Sequence, residues 1–406
     1  MNRAHWIWEA ITENEVIEAT MNAIKAASYS GLPSQEAEMA AFVSGILTEA
    51  AIEHTIECVE EGRYNVVARL AGHQPGKRLI LNGHMDTVPL YGMCDGLSPY
   101  ISEGKLYGRG AVDMKGPLMA MLYAVIGMKR KAIAFDGEIV LACVADEEER
   151  SLGSIHFLEN HSETADGVVV GEPTDLRICP AHRGLQWIEI IVEGKTVHGG
   201  NQASGLNAIE VAGELICYLK AAMAEAIKGS EHPLIGRGSF NIGTITGGTQ
   251  PSTVAGKCLI SFDRRWVPGE TLQTILTQVG EMIDAFLGSH PGYKITYRSM
   301  AENIMKGDYS HESMDTPLDA QVVQSAVQSV EAIMKTSEIS FFPAWSDGAL
   351  FQHFFNMPTI VFGPGDLSTA HSDEEFIEIE SLLMGTEAYA RLITFFFGVK
   401  EGGAEK

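Results

Sequence analysis

The sequence holds no C-x-x-C pair. Its six cysteines, Cys58, Cys94, Cys143, Cys179, Cys217 and Cys258, are scattered through 406 residues. Neither a thiolate zinc site nor a disulfide framework is suggested. Several lie inside apolar runs, where cysteine is a small core hydrophobe. Long apolar runs are missing too: none approaches the ~20 residues of a membrane span. The opening stretch, MNRAHWIWEAITENEV, is too polar and acidic for a signal peptide. Positive charge is scarce, with 29 Lys and Arg against 53 Asp and Glu and a formal net charge of −24. Nucleic acid and anionic membranes bind through positive charge, so neither is expected as a partner. Repeats, low-complexity tracts and long linkers are also lacking. The expectation is a soluble, reduced, cytoplasmic protein with enough chain for more than one core.

What is present alternates between strand-like and helix-like segments, which argues an α/β fold. RLILNGHMD, EIVLACVADEE, DGVVVGEPT and MPTIVFGPG share one pattern: a short Val- and Ile-rich run ending in glycine, proline or acids. Strands buried on both faces of a parallel sheet read this way, and ligands bind beyond their carboxyl ends. The middle of the chain differs. LQWIEIIVEG, FNIGTITGG, KCLISFDRRW and YKITYRSM are strand-like, with helical segments near 207–226 and 272–287 between them. That β-α-β-β-α-β order is a ferredoxin-like unit. The expected organisation is therefore a mostly parallel-sheet domain, 1–182 and 301–406, with an inserted α+β domain over 183–300.

The stretch EIVLACVADEEER poses a problem, because a buried strand ends in four consecutive acids, Asp146 to Glu149. Crowded carboxylates repel, so either the run is solvated or a cation offsets it. Other strand ends carry matching residues. NGHMDTVP places His84 and Asp86, GRGAVDMKGPL places Asp113 before a helix, VGEPTD places Glu172, and GPGDLSTAHSDEEF places His371. Each alone has a plain structural reading: a satisfied histidine, a solvated acid run, a turn, a helix N-cap. Five together at element ends are more telling. Two histidines and three carboxylates without cysteine suit two borderline-hard cations, with zinc first and cobalt or manganese as alternatives. One carboxylate would bridge them, and another must stay off the metals as base for water.

Read together, LNGHMDTVP, GRGAVDMKGPLMA, ADEEERSLGS, VGEPT, GKTVHGG, FDRRWVPGE and FGPG…AH resemble the di-zinc family of acetylornithine deacetylase, succinyl-diaminopimelate desuccinylase, aminoacylase and carboxypeptidase G. The resemblance spans nearly the whole chain. It implies His84 and Glu172 on one metal, Glu148 and His371 on the other, and Asp113 between them. Asp86 would orient His84 from behind, and Glu147 would be the general base. The family also carries a cis peptide after the bridging aspartate, here Asp113–Met114. His198 would reach a partner subunit's site and stabilise the oxyanion, making the protein a homodimer joined through the inserted domain. Arg265 matches the arginine that takes a substrate carboxylate; strand alternation puts it with Asp263 and opposite Arg264. Gly363 and Gly365 of FGPG are expected to offer backbone N–H groups to that carboxylate. Ser252 stands where relatives often carry asparagine, and Pro117 where they often carry glycine.

The implied activity is hydrolysis of an N-acyl amino acid or a related small amide bearing a carboxylate. A dipeptidase or carboxypeptidase would use the same residues. A metal-binding scaffold without activity would leave the complete set, Glu147 included, unexplained.

Overall fold

The four Val- and Ile-rich runs lie side by side as parallel strands in the computed structural model, which describes residues 5–161 and 163–399. Their order across the sheet is Gly137–Val144, Lys77–His84, Gly167–Val170 and Thr359–Val361. Almost every residue in them is buried. Helices Lys115–Arg130 and Ile379–Phe397 contribute to the same core, the first buried from Lys115 to Met128. Pro117 falls in the first turn of its helix, where its missing N–H would have had no partner in the helix.

Antiparallel strands flank this parallel centre. Arg63–Ala71 pairs with Gly137–Val144, and Glu53–Glu60 with Arg63–Ala71. On the other side Ile178–His182 pairs antiparallel to Thr359–Val361, giving a nine-stranded mixed sheet. Strand Glu53–Glu60 is mostly solvent-facing and rich in glutamate, which suits an edge that must not pair further.

By contact density the chain divides into two units. One comprises 1–181, 315–342 and 346–406 and holds the nine-stranded sheet; the other comprises 182–314 and 343–345. The second contains a four-stranded antiparallel sheet ordered Ser239–Gly247, Lys257–Trp266, Gly184–Glu193, Lys294–Ser299. Helices Ala208–Lys228 and Leu272–Leu287 share its core, which includes Ile188, Ile190, Leu215, Ile260, Phe262 and Ile283. This unit continues past residue 300 to Met314, and the reason is polar. Asn303 Oδ1 accepts from Trp187 N at 2.7 Å and Gln186 Nε2 at 3.0 Å, and Leu185 N donates to His311 O at 2.9 Å. Trp345 Nε1 likewise donates to Glu312 O at 3.0 Å. Such ties leave no periodic mark in the sequence.

Candidate metal centre

His84 is the last residue of its strand and is buried. Its Nδ1 lies 3.0 Å from the Asp86 main-chain oxygen and 3.5 Å from the Asp86 carboxylate. That leaves Nε2 facing Asp113 Oδ1 at 3.1 Å and Glu172 Oε1 at 3.5 Å. Asp113 presents its other oxygen, Oδ2, to His371 Nε2 at 3.1 Å. His371 also lies 3.1 Å from Glu148 Oε1. Two groups able to hold a cation result: His84, Asp113 and Glu172, and Asp113, Glu148 and His371. They share one carboxylate, with one oxygen turned toward each histidine. Glu147 belongs to neither. The Asp113–Met114 peptide is cis.

The acid run divides its labour by direction. Asp146 has φ +66°, a left-handed conformation that Asp tolerates, and it turns the chain out of the strand. The Asp86 carboxylate then accepts the N–H of Glu147 at 3.2 Å and of Glu148 at 3.1 Å. Asp146 and Glu149 point the other way, to buried Arg63. Arg63 Nη1 lies 2.9 Å from Asp146 Oδ1 and 2.5 Å from Glu36 Oε1, and Nη2 lies 3.1 Å from Glu149 Oε2. So two of the four acids anchor the turn on an arginine, and two are delivered to the site. Asp347 supports the next segment: its Oδ2 accepts from Ser154 Oγ at 2.5 Å, and its side chain is buried. Neither Arg63 nor Asp347 stood out in the sequence. Asp347 lies in AWSDGALF, where an acid inside an otherwise apolar stretch was the available signal.

The electrostatics fit cations. Burial pushes Glu147, Glu148 and Glu172 above the usual carboxylate range, and neighbouring acids push the same way. Burial alone would lower His84, but Glu172, Asp113 and Asp86 outweigh it and hold it well above normal. Hydrogen bonds to Asp113 and Glu148 raise His371 to about 10. Asp113 is lowered, its own burial being outweighed by the two histidines. Glu172 Oε1 is buried and accepts no hydrogen bond among the described residues. A buried carboxylate oxygen without a hydrogen bond, 3.5 Å from strongly basic His84, belongs to a donor set that a cation would complete.

His198, Ser252 and Arg265 belong to the inserted unit. His198 and Ser252 come together on the inserted unit through a His198–Thr253 bridge, and both are exposed. His198 Nδ1 accepts the Gly200 N–H at 3.1 Å, and the Ser252 carbonyl takes the Gly199 N–H at 2.7 Å. Arg265 is half-buried with Nε 3.0 Å from Asp263 Oδ2, while Arg264 on the opposite face is buried against Glu270. The role expected of Gly363 and Gly365 needs correction. The Gly363 N–H goes to Thr174 Oγ1 at 3.2 Å and the Gly365 N–H to Ser381 Oγ at 3.0 Å, so neither is free for a substrate. Gly363 instead packs on main chain: a Cβ there would lie 2.7 Å from the Glu172 carbonyl oxygen.

Two ligand groups joined by a common carboxylate, with a further carboxyl beside them, define a binuclear metallohydrolase centre. Residues 80–394 match the model of Peptidase family M20/M25/M40, and the chain belongs to that family. It is accordingly a hydrolase of amide bonds. Among curated relatives, acetylornithine deacetylase of Aliivibrio salmonicida is 30% identical over 330 residues, covering 80% of this chain and 82% of that one. The Vibrio cholerae enzyme of the same name has the same identity and coverage. Among solved structures, an aminopeptidase of Bacillus cereus aligns with TM-score 0.77 at 21% identity, covering 95% and 99% of the two chains. Human carnosine dipeptidase 1 aligns with TM-score 0.74 at 16% identity, covering 97% and 98%. These structural likenesses concern the fold.

Proposed function

We propose that this protein deacylates an N-acylated amino acid, using two divalent cations held by His84, Asp113 and Glu172 and by Asp113, Glu148 and His371. The observation that carries the reading is the split Asp113 carboxylate, one oxygen toward each histidine, with Glu147 alongside but in neither ligand group. The donor set is nitrogen and oxygen with no thiolate, which favours zinc, with cobalt or manganese as substitutes.

Bound cations would acidify water and polarise the scissile carbonyl. Glu147 accepts the proton of the attacking water and delivers it to the departing amine. Asp86 keeps His84 in the tautomer with Nε2 free for a cation and holds the Glu147–Glu148 turn by its carboxylate. Arg265 binds the substrate carboxylate through its guanidinium fork, and His198 donates to the developing oxyanion. Ser252, beside His198, is a further substrate contact. A homodimer joined through the inserted unit fits the edge strand Ser239–Gly247, which among the described residues pairs on one side only. Cytoplasmic residence fits six free cysteines. None of the described helices is long and apolar enough to cross a membrane.

Deacylation is favoured over peptide cleavage by the acetylornithine deacetylases, the relatives matched at 30% identity. A dipeptidase or carboxypeptidase reading draws on the structural neighbours at 21% and 16% identity. Primary-amine release from a panel of N-acyl amino acids and dipeptides, with zinc or cobalt supplied, separates them. Acyl amino acids should be cleaved and dipeptides spared; the reverse would replace the proposal with the peptidase. Glu147→Ala should abolish turnover while leaving cation stoichiometry intact, and near-normal turnover would refute its role as base.

A further inference from the structure

His84 and Glu172 are placed by adjacent parallel strands, and Glu148 follows a third, but the other two members of the second ligand group have no such support. Asp113 precedes a helix, and His371 lies in the loop between Thr359–Val361 and Phe376–Glu378, with φ +58°. Something must hold these two loops in register. The sheet does not, since their segments are far apart in sequence and meet only beyond the strand ends.

One buried side chain touches both segments. Glu375, four residues after His371, is fully buried. Its Oε1 accepts the N–H of Val112 and of Asp113, each at 3.1 Å. Its Oε2 accepts from Arg109 Nη1 at 2.7 Å, and Arg109 Nη2 reaches the Leu90 carbonyl at 3.3 Å. The Glu375 main-chain oxygen takes the Gly108 N–H at 3.1 Å. Immediately beyond, Phe376–Glu378 pairs antiparallel with Lys105–Tyr107. The His371 loop is closed on the same root, because Thr369 Oγ1 donates to the Phe376 carbonyl at 3.1 Å. A single carboxylate therefore gathers the backbone that presents Asp113 while standing at the base of the loop that presents His371.

We propose that Arg109 and Glu375 are a positioning pair that sets the Asp113–His371 spacing and thereby the affinity of the second cation position. This rests on the two-cation reading above. The pair touches neither ligand side chain. It acts through the Val112 and Asp113 amides on one side and the continuous chain to His371 on the other. Burying an ion pair is costly unless its bonds are complete, and here both carboxylate oxygens are used. The first position depends on it less: it shares only Asp113 with the pair's reach, while His84 and Glu172 are fixed by the sheet and His371 belongs to the second position alone.

Glu375→Gln tests this at nearly constant volume. Glutamine has one acceptor oxygen and one NH2, so an N–H must face either Arg109 or the Val112 and Asp113 amides. One of the two ties is lost whichever way the amide turns. Stepwise cobalt(II) titration, followed by visible absorption and calorimetry, reads the two equivalents. His371→Ala identifies which equivalent belongs to the second position. In Glu375→Gln that equivalent should weaken by about 10–100-fold while the other changes by less than about threefold. Equal loss at both positions, or none at either, overturns the proposal. If Glu375→Gln fails to fold by circular dichroism, Arg109→Lys carries the test. Lysine keeps a charge beside Glu375 but has no fork to reach Leu90 as well. The same selective loss there supports the pair, and unchanged affinities refute it. A wild-type protein taking up fewer than two equivalents would instead sink the two-cation reading itself.

Discussion

Replacing Gly363 by alanine isolates what this glycine does. A Cβ built on it would meet the Gly171 carbonyl oxygen at 2.6 Å, the Glu172 carbonyl oxygen at 2.7 Å and Tyr389 Oη at 2.8 Å. Two of these are main chain and cannot rotate away. The third is held by its own hydrogen bond to the Phe362 carbonyl at 2.7 Å. Something must move, and the backbone under Glu172 is the nearest candidate. Forcing a methyl group into a packed site costs about 1–3 kcal/mol. A ligand set tolerates displacement of only about 0.5 Å, so cation affinity should fall as well. Gly45 provides the control within the same unit. It lies in helix Ala37–Glu49 with open space where a Cβ would go, so alanine there should stabilise by roughly 0.5–1 kcal/mol. Urea melts of the two variants, with and without cobalt, should move in opposite directions from wild type. A Gly363→Ala protein with the wild-type midpoint and unchanged cobalt affinity would refute the packing argument.

Arg63→Met strands buried Glu36 without its cation, leaves Asp146 only the partly exposed Arg150, and should destabilise by about 3–5 kcal/mol. Turnover should fall as well, because the turn bearing Glu147 loses its anchor; a wild-type melting curve would show that Arg63 is dispensable. His311 makes a separate prediction. Burial against Trp345 lowers its pKa to about 4, whereas the unfolded chain takes up that proton near pH 6.5. The unfolded state then binds more protons over this window, so His311 should reduce stability progressively as pH drops from 6.5 toward about 4. His311→Phe should flatten that slope in urea melts across the same range, and an unchanged slope would discount the histidine.

The parallel centre was legible because strands buried on both faces cannot hide: Leu79–Leu81, Ile139–Val144 and Val168–Val170 read as unbroken apolar runs. The hairpin Glu53–Ala71 escaped notice because half of it is an edge strand whose exposed residues mimic a charged loop. The candidate ligand residues were legible only jointly, through their repeated placement at strand ends and the family resemblance. Their supports were not. Arg109 and Glu375 both lay inside quoted motifs, yet their pairing across 266 residues has no local signature. Gly363 and Gly365 looked like donors to a substrate because nothing in FGPG announces that the Thr174 and Ser381 hydroxyls already take those N–H groups.

The interrupted connectivity of the larger unit also imposes an order of assembly. Strand Thr359–Val361 lies between Gly167–Val170 and Ile178–His182, so the central sheet stays incomplete until the whole inserted segment has left the ribosome. His371 emerges later still. During synthesis the apolar edge of Gly167–Val170 must wait for its neighbour, while the inserted unit, nearly continuous in sequence, has most of its partners at hand. Closing such long loops is slow, and unpaired strands invite aggregation meanwhile. The Asp113, Glu148 and His371 group is thus the last part of the candidate centre to come together, after the scaffold has closed around it.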